Sequence, residues 1–124
     1  MKSAPIEVTV KTTYIPEQSR PKENRYVYTY TITITNCGDQ AAQLMNRHWI
    51  ISDANEKIQE VQGEGVVGQQ PRLAPGDNYT YTSGVILETQ FGTMRGSYEM
   101  KTDLGDLFEA AVPAFALVPP QAIH

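Results

Sequence analysis

A strict alternation of apolar and polar side chains over residues 26–35 constrains this chain more than any other feature of its sequence. Aromatic and β-branched residues occupy every second position, and threonines occupy most of the positions between them. Successive side chains of a β-strand point to opposite faces, so this pattern gives a strand with one apolar face and one polar face. A helix would scatter the same apolar residues around its circumference. The segment is therefore predicted to be a strand of a half-buried sheet.

The period-two pattern recurs along the chain, and turn-forming residues separate its segments. The further predicted strands cover residues 6–14 and about 42–52, 57–62, 78–87, 92–102 and 107–118. Segment 42–52 is apolar on both faces, which places it near the centre of a sheet. Seven or so short strands joined by turns are typical of two packed antiparallel sheets. We therefore predict an all-β, immunoglobulin/fibronectin-III-like sandwich that forms one domain over residues 1–124, with its core at about 6–118.

Charge and composition exclude several classes of protein. A formal net charge of −4 argues against general nucleic-acid binding, which needs a basic surface. The single cysteine, Cys37, allows no internal disulfide and fits a reducing compartment. Residues 1–8 lack the apolar segment of a signal peptide, and the apolar stretch 110–120 is too short to span a bilayer. We expect a cytoplasmic protein with no membrane partner.

The sequence offers little catalytic or metal-binding chemistry. Its two histidines are His48 and His124, too few for a zinc site of three or four ligands. A nucleophile–base pair of Cys37 and His48 has no orienting acid at a suggestive spacing, and Cys37 lies in a predicted turn. We predict no catalytic residue, no metal site and no cofactor.

Residues 63–68 match the pattern G-x-G-x-x-G, which holds phosphate at a helix N-terminus in dinucleotide-binding folds. Pro71 and Pro75 argue against a helix here, so the dinucleotide fold is excluded. Two interpretations stay open. The glycines could let the chain cross between the sheets while two valines enter the core. Alternatively, successive N–H groups could form a concave phosphate-binding loop. The residues of this candidate loop are Gly63, Gly65, Val66, Val67 and Gly68.

Three arginines are candidates to support phosphate binding, namely Arg47, Arg72 and Arg95. Arg47 also shares a strand face with Trp49, so its guanidinium could stack on the indole ring. Packing of Trp49 in the core is the alternative interpretation of that pair.

Several strings together resemble the ApaG family. They are NRHWIISD at 46–53, VQGEGVVGQQP at 61–71, PGDNYTYTSG at 75–84, GTMRGSYEM at 92–100 and VPAFAL at 112–117. The resemblance implies an immunoglobulin/fibronectin-III-like sandwich, a family association with cobalt resistance and magnesium efflux, and a role in protein–protein recognition. One departure is Glu56, where family members often have glycine, so Asn55 is expected to take the left-handed conformation of that turn.

Three functions remain after these exclusions. The leading hypothesis is a non-enzymatic module that binds a protein partner. The alternatives are a module that binds a nucleotide or pyrophosphate at the Gly63–Gly68 loop, and a sensor of divalent cations. Pairing of long Thr- and Tyr-rich strands into a homodimer is also open.

Overall fold

The structure, a computed structural model, describes residues 6–120. Its regular elements are β-strands apart from two 3-10 helices of three residues each, Pro16–Gln18 and Pro21–Glu23. Within that range no helix is long and apolar enough to cross a membrane. The eight strands, in chain order, are β1 (Ile6–Tyr14), β2 (Tyr26–Asn36), β3 (Ala42–Asp53), β4 (Ile58–Glu64), β5 (Arg72–Leu73), β6 (Asn78–Leu87), β7 (Gly92–Thr102) and β8 (Leu107–Leu117). His124 and both ends of the predicted domain lie outside the described residues.

The strands form two antiparallel sheets. One has three strands in the order β1-β2-β6, and the other has five, in the order β4-β3-β7-β8 with β5 paired to β3. The predicted all-β sandwich is thereby confirmed, as is the central place of β3, which has neighbours along both edges. β1 lies against β8 and closes one side of the sandwich.

The sequence did not predict β5, because two residues are too few to show a period. β7 pairs with β3 along one edge from end to end, so β4 and β5 must share its other edge. They pair with β3 in succession, and residues 65–71 leave that edge and return to it. A register shift beside Met45 lies opposite this excursion.

The core is built around Trp49, which is 2% exposed. Its ring packs edge-on against three aromatic rings, with centroid distances of 5.6 Å to Tyr30, 6.0 Å to Tyr98 and 6.0 Å to Phe115. Tyr30 belongs to the opposite sheet, so this cluster joins the two layers. Trp49 is therefore a core residue. Its indole N–H has no partner within residues 6–120, an energetic cost that the burial of the ring must offset.

Three buried tyrosines carry hydroxyl groups that are hydrogen-bonded inside the protein. The hydroxyls of Tyr81 and Tyr98 lie 2.6 Å apart and join the two sheets. Tyr28 donates to the carbonyl oxygen of Gln90 at 2.5 Å. Burial disfavours the phenolate and raises the pKa of Tyr28 to about 12. The same cause raises the pKa values of Tyr81 and Tyr98 further.

We predict that the free energy of unfolding falls as pH rises from about 10 to 12. In that window Tyr28, Tyr81 and Tyr98 keep their protons in the folded state and lose them in the unfolded chain. The unfolded state then binds fewer protons, so stability decreases with pH. Urea titrations at a series of pH values, combined with tyrosinate absorbance, measure this. Ionisation of all seven tyrosines near pH 10 with unchanged stability would contradict the prediction.

Candidate functional site

The glycine-rich loop ends in a tight two-residue turn. Val66 and Gln69 exchange backbone hydrogen bonds of 2.8 and 2.9 Å, which leaves Val67 and Gly68 at the tip. Both tip residues have positive φ angles, 43° and 81°, as a type I′ hairpin turn requires. Glycine adopts this conformation easily, but a β-branched residue such as Val67 is strained in it.

Each of the other two glycines has a steric reason to be there. A Cβ on Gly63 would come within 2.8 Å of the Arg47 guanidinium, which lies over that residue. Arg47 donates from Nη1 to the carbonyl oxygens of Glu64 at 3.0 Å and Gly65 at 2.9 Å. Gly65 has a φ of +63°, and a Cβ there would lie 2.2 Å from the carbonyl oxygen of Gln69. The pattern therefore serves the folding of the loop.

Two details of the structural interpretation are wrong. Val66 is fully buried as expected, but Val67 is 53% exposed, because the turn directs its side chain to solvent. The loop also does not cross between the sheets, since it connects two strands that both pair with β3. The chain reaches the other sheet only after the turn at 74–77, where Asp77 accepts the N–H of Ala74.

The expectation for the turn after β3 is also wrong. Glu56, not Asn55, has the positive φ angle, which is 64°. The carboxylate of Asp53 accepts the N–H groups of Asn55 and Lys57, and this bonding fixes Asn55 before the reversal. The left-handed conformation is therefore found at Glu56, one residue after the expected Asn55.

The loop leaves few groups for binding an anion. The N–H groups of Gly65, Val66 and Gln69 all donate to backbone carbonyls. In the part of the chain that the structure describes, the N–H groups of Val67 and Gly68 make no hydrogen bond. Phosphate binding at this loop stays a prediction, and its geometric support is confined to those two groups at the tip.

The three candidate arginines do not converge on the loop. Arg47 lies on the inner face of the sheet, where its guanidinium donates to the carbonyl oxygens of Glu64 and Gly65. Arg72 forms a two-point ion pair with Asp103, including a 3.0 Å bond from Nε, and this contact holds the pKa of the aspartate below its usual range. Arg95 is opposite Ile50, three residues along β3 from Arg47.

A second surface has a more open geometry. The solvent-facing side of the five-stranded sheet contains a cleft of about 460 Å³, which we call the outer cleft. Its lining residues come from four neighbouring strands and are Asn46, Arg47, His48, Gln62, Gly63, Glu64, Ser97, Glu99 and Glu109. Most of these residues are polar. All of their side chains except that of Arg47, which lies on the inner face of the sheet, alternate with the core residues of the same strands.

One row of this cleft concentrates negative charge. The strand register sets Glu64, Asn46, Glu99 and Glu109 side by side across the sheet. Asn46 donates to Glu99 at 2.6 Å. Glu99 and Glu109 are directly opposite, where like charges destabilise a sheet. Within residues 6–120 neither Glu64 nor Glu109 has an ion-pair partner.

A histidine–carboxylate pair lies beside that row. His48 Nε2 is 2.5 Å from Glu60 Oε2, and both side chains are substantially exposed. Cys37 lies in the loop before β3, and His48 is six residues beyond the start of that strand. The two residues are therefore separated by roughly 20 Å in the direction of β3. The structure therefore does not bring the cysteine and the histidine together. Among the described residues no group of three His, Cys, Asp or Glu side chains is placed to hold a metal ion.

Sequence reasoning missed the outer cleft. Its members are polar residues at alternate positions of four strands, and each strand by itself reads as an ordinary solvated face. Only the register of β3 with its neighbours shows that three glutamates share one row. The available signal was Arg47-His48-Trp49, which pointed to the correct strand without indicating which glutamates lie beside it.

The strand order and the buried tryptophan place the chain in a known structural class. Three strands packed on a sheet in the order β4-β3-β7-β8, with a buried tryptophan on the third strand, make an immunoglobulin-like sandwich, here without the disulfide of antibody domains. A family model described as the ApaG domain matches residues 16–102. The chain belongs to the ApaG family.

Proteins from several bacteria are similar over nearly the whole chain. The chain is 53% identical to protein ApaG of Pseudomonas aeruginosa PAO1 over 119 residues, which are 96% of this chain and 94% of that protein. It is 51% identical to protein ApaG of Thiobacillus denitrificans with the same coverage. The crystal structure of an ApaA protein from Bordetella pertussis superposes with a TM-score of 0.94 at 49% identity, covering 97% of this chain and 98% of that one.

We predict that Gly65→Ala destabilises the protein much more than Gly68→Ala. Both residues have positive φ, but a methyl group at Gly65 also meets the backbone of Gln69, whereas at Gly68 it meets open space. We expect a loss of about 1 kcal/mol for Gly68→Ala and more than about 2 kcal/mol for Gly65→Ala. Urea unfolding of both variants measures the difference. Equal losses would show that the contact with Gln69 is unimportant.

Proposed function

We propose that this chain is a non-enzymatic binding module whose outer cleft receives a positively charged segment of a protein partner. The row Glu64–Asn46–Glu99–Glu109 is the observation that carries this proposal. Like charges opposite each other reduce the stability of the isolated protein. Such a local conflict is typical of a functional site, because a bound cation relieves it.

The chemistry of the cleft favours a lysine or arginine side chain as the group that is bound. Carboxylates form their strongest hydrogen bonds with ammonium and guanidinium groups, and arginine can contact two oxygens at once. The open, shallow shape suits an extended segment on the sheet surface, with Ser97 and Gln62 available for further hydrogen bonds. A protein partner supplies such a segment, which agrees with the leading hypothesis from the sequence.

We predict that replacing Glu109 with glutamine stabilises the protein and weakens its binding to a basic peptide. Removing one of two opposed charges should raise the free energy of unfolding by about 0.5 kcal/mol. Loss of a carboxylate should weaken binding of an arginine-rich peptide about tenfold. Amide NMR titration and urea unfolding measure the two effects on the same samples.

Glu7→Gln is the matched control for this experiment. Glu7 is exposed on β1 of the other sheet and lies opposite Thr35. Its replacement by glutamine therefore removes the same charge far from the cleft. It should leave peptide affinity almost unchanged. Equal weakening by both variants, or shifts spread over the whole surface, would reduce the interaction to general electrostatic attraction and reject the proposal.

The second candidate function is binding of a nucleotide or pyrophosphate at the tip of the Gly63–Gly68 loop. Two observations favour it: the N–H groups of Val67 and Gly68 are not used, and Val67 is held in a strained conformation. Strained backbone of this kind is concentrated at binding sites in proteins.

A titration with pyrophosphate, ATP and Mg²⁺ separates the two functions. If the second candidate is correct, the amide signals of Val67 and Gly68 shift saturably while those of Glu99 and Glu109 stay in place. Unmoved tip signals at millimolar pyrophosphate would reject it. Shifts of the same tip signals with chloride at equal ionic strength would show that the effect is not specific to phosphate.

Cytoplasmic location and divalent-cation sensing stay predictions. The exposed free thiol of Cys37 suits a reducing compartment. The association with magnesium efflux and cobalt resistance comes from the family resemblance. Calorimetry with Mg²⁺ and Co²⁺ tests whether the protein binds either cation directly.

A further inference from the structure

The outer edge of β6 is the one unprotected strand edge among the four sheet edges formed by residues 6–120. β6 is ten residues long and contains no charged residue and no proline. It pairs with β2 without any shift in register. Edge strands of soluble proteins usually carry a charge, a proline or a bulge that prevents pairing with another chain. β6 has none of these, and among residues 6–120 its outer backbone groups receive one side-chain hydrogen bond, from Gln59 to the carbonyl oxygen of Ile86.

The other three edges each have such protection. β1 carries Glu7 and lies against β8. β8 contains Glu109 and Pro113, and its register with β7 is shifted by a bulge. β4 contains Glu60 and Glu64, and its edge is interrupted by the glycine-rich loop. The contrast singles out β6 as an interaction surface.

One hydrogen bond shows which backbone groups face the unpaired edge. The side-chain amide of Gln59 donates to the carbonyl oxygen of Ile86 at 3.3 Å, so this carbonyl points away from β2. The N–H and C=O of a strand residue point the same way in an antiparallel pair and alternate along the strand. The residues with outward backbone groups are therefore Asn78, Thr80, Thr82, Gly84 and Ile86.

We propose that the β6 edges of two copies of this chain pair antiparallel across a two-fold axis. The two three-stranded sheets then form one continuous sheet of six strands. Only alternate residues of β6 have backbone groups that point outward. In the dimer, these residues of one copy must therefore lie opposite the same set of residues of the other copy. Full overlap of 78–86 places Thr82 on the axis, Thr80 opposite Gly84, and Asn78 opposite Ile86.

The character of the edge favours a second copy over a charged partner. An uncharged strand gives no ion pairs to a charged segment. The β6 edge of another copy is equally uncharged, so the pair brings no like charges together within the contact. Threonine pairs already join this face, with 2.8 Å between the hydroxyls of Thr31 and Thr82. A Thr82 pair on the axis would continue that pattern across the dimer.

The size of the contact sets the expected strength. Nine residues span about 30 Å, and a sheet edge about 10 Å thick gives roughly 300 Å² per copy. The apolar groove between the edges of β4 and β6, lined by Val61, Val85 and Ile86 among others, adds to this area. Such a contact is smaller than those of stable specific complexes, which bury roughly 800 Å² per partner, so we expect a weak and reversible dimer.

Disulfide trapping tests the predicted register. Opposed residues in a hydrogen-bonded antiparallel pair have Cα atoms about 5.5 Å apart, within the range that a disulfide needs. In a Cys37→Ser background, Thr82→Cys should form a covalent dimer under mild oxidation. Thr80→Cys, two residues away on the same face, is the matched control and should cross-link much more slowly.

Sedimentation velocity up to about 1 mM protein tests the association itself. Gly84→Lys should weaken the dimer at least about tenfold, because it adds a charge to the edge. The substitution fits the fold, since a Cβ at this position makes only an ordinary 3.6 Å contact with Tyr28. Thr13→Lys, on the exposed face of β1, is the control and should leave the dimer intact.

Three results would overturn the proposal. They are a monomer at every concentration, equal cross-linking of the Thr80 and Thr82 variants, and a dimer that Gly84→Lys leaves intact. Circular dichroism of each variant confirms that it is folded.

Discussion

The burial of Trp49 between the two sheets holds the sandwich together. Its ring contacts Tyr30 of the smaller sheet and Tyr98 and Phe115 of the larger one, so a single side chain fixes how the layers meet. Antibody domains strengthen this region with a disulfide, which a chain with one exposed cysteine cannot form. Here aromatic packing and the hydrogen bond between Tyr81 and Tyr98 connect the layers. Gly96 leaves room for this arrangement, because a Cβ there would lie 2.8 Å from the Trp49 ring.

The central position of β3 links this core to both candidate sites. Trp49 and Arg47 point inward, and Arg47 donates hydrogen bonds to carbonyl oxygens of the glycine-rich loop. Asn46 and His48 point outward and form part of the outer cleft. The alternation of a single strand therefore assigns one face to the core and the other to the outer cleft. A shift of β3 by one residue would exchange these faces, which is why burial of Trp49 also fixes the register of the acidic row.

The glycine-rich loop illustrates how a motif can mislead when it is separated from its context. G-x-G-x-x-G holds a phosphate when a helix follows and directs its N–H groups at the ligand. Here the chain turns back at Val67 and Gly68, and the loop directs carbonyl oxygens at an arginine. Each glycine is explained by a positive φ angle or by a close approach. The same residues thus meet local requirements that a sequence pattern does not distinguish from phosphate binding.

The strands, the two-sheet class and most of the core could be predicted from the amino-acid sequence, because alternation and turn residues are local properties of the chain. The alternating segment 6–14 and the approximate bounds 78–87 and 92–102 agree with the observed strands. Smaller local features were missed where two conformations are close in energy, as at Asn55 and Glu56, or where an element is too short to show a period, as at β5. The pairing of the strands depends on contacts between distant parts of the chain and became visible in the folded protein. Pairing created the row of glutamates and left β6 as an unprotected edge, since both depend on which strands are neighbours and in what register.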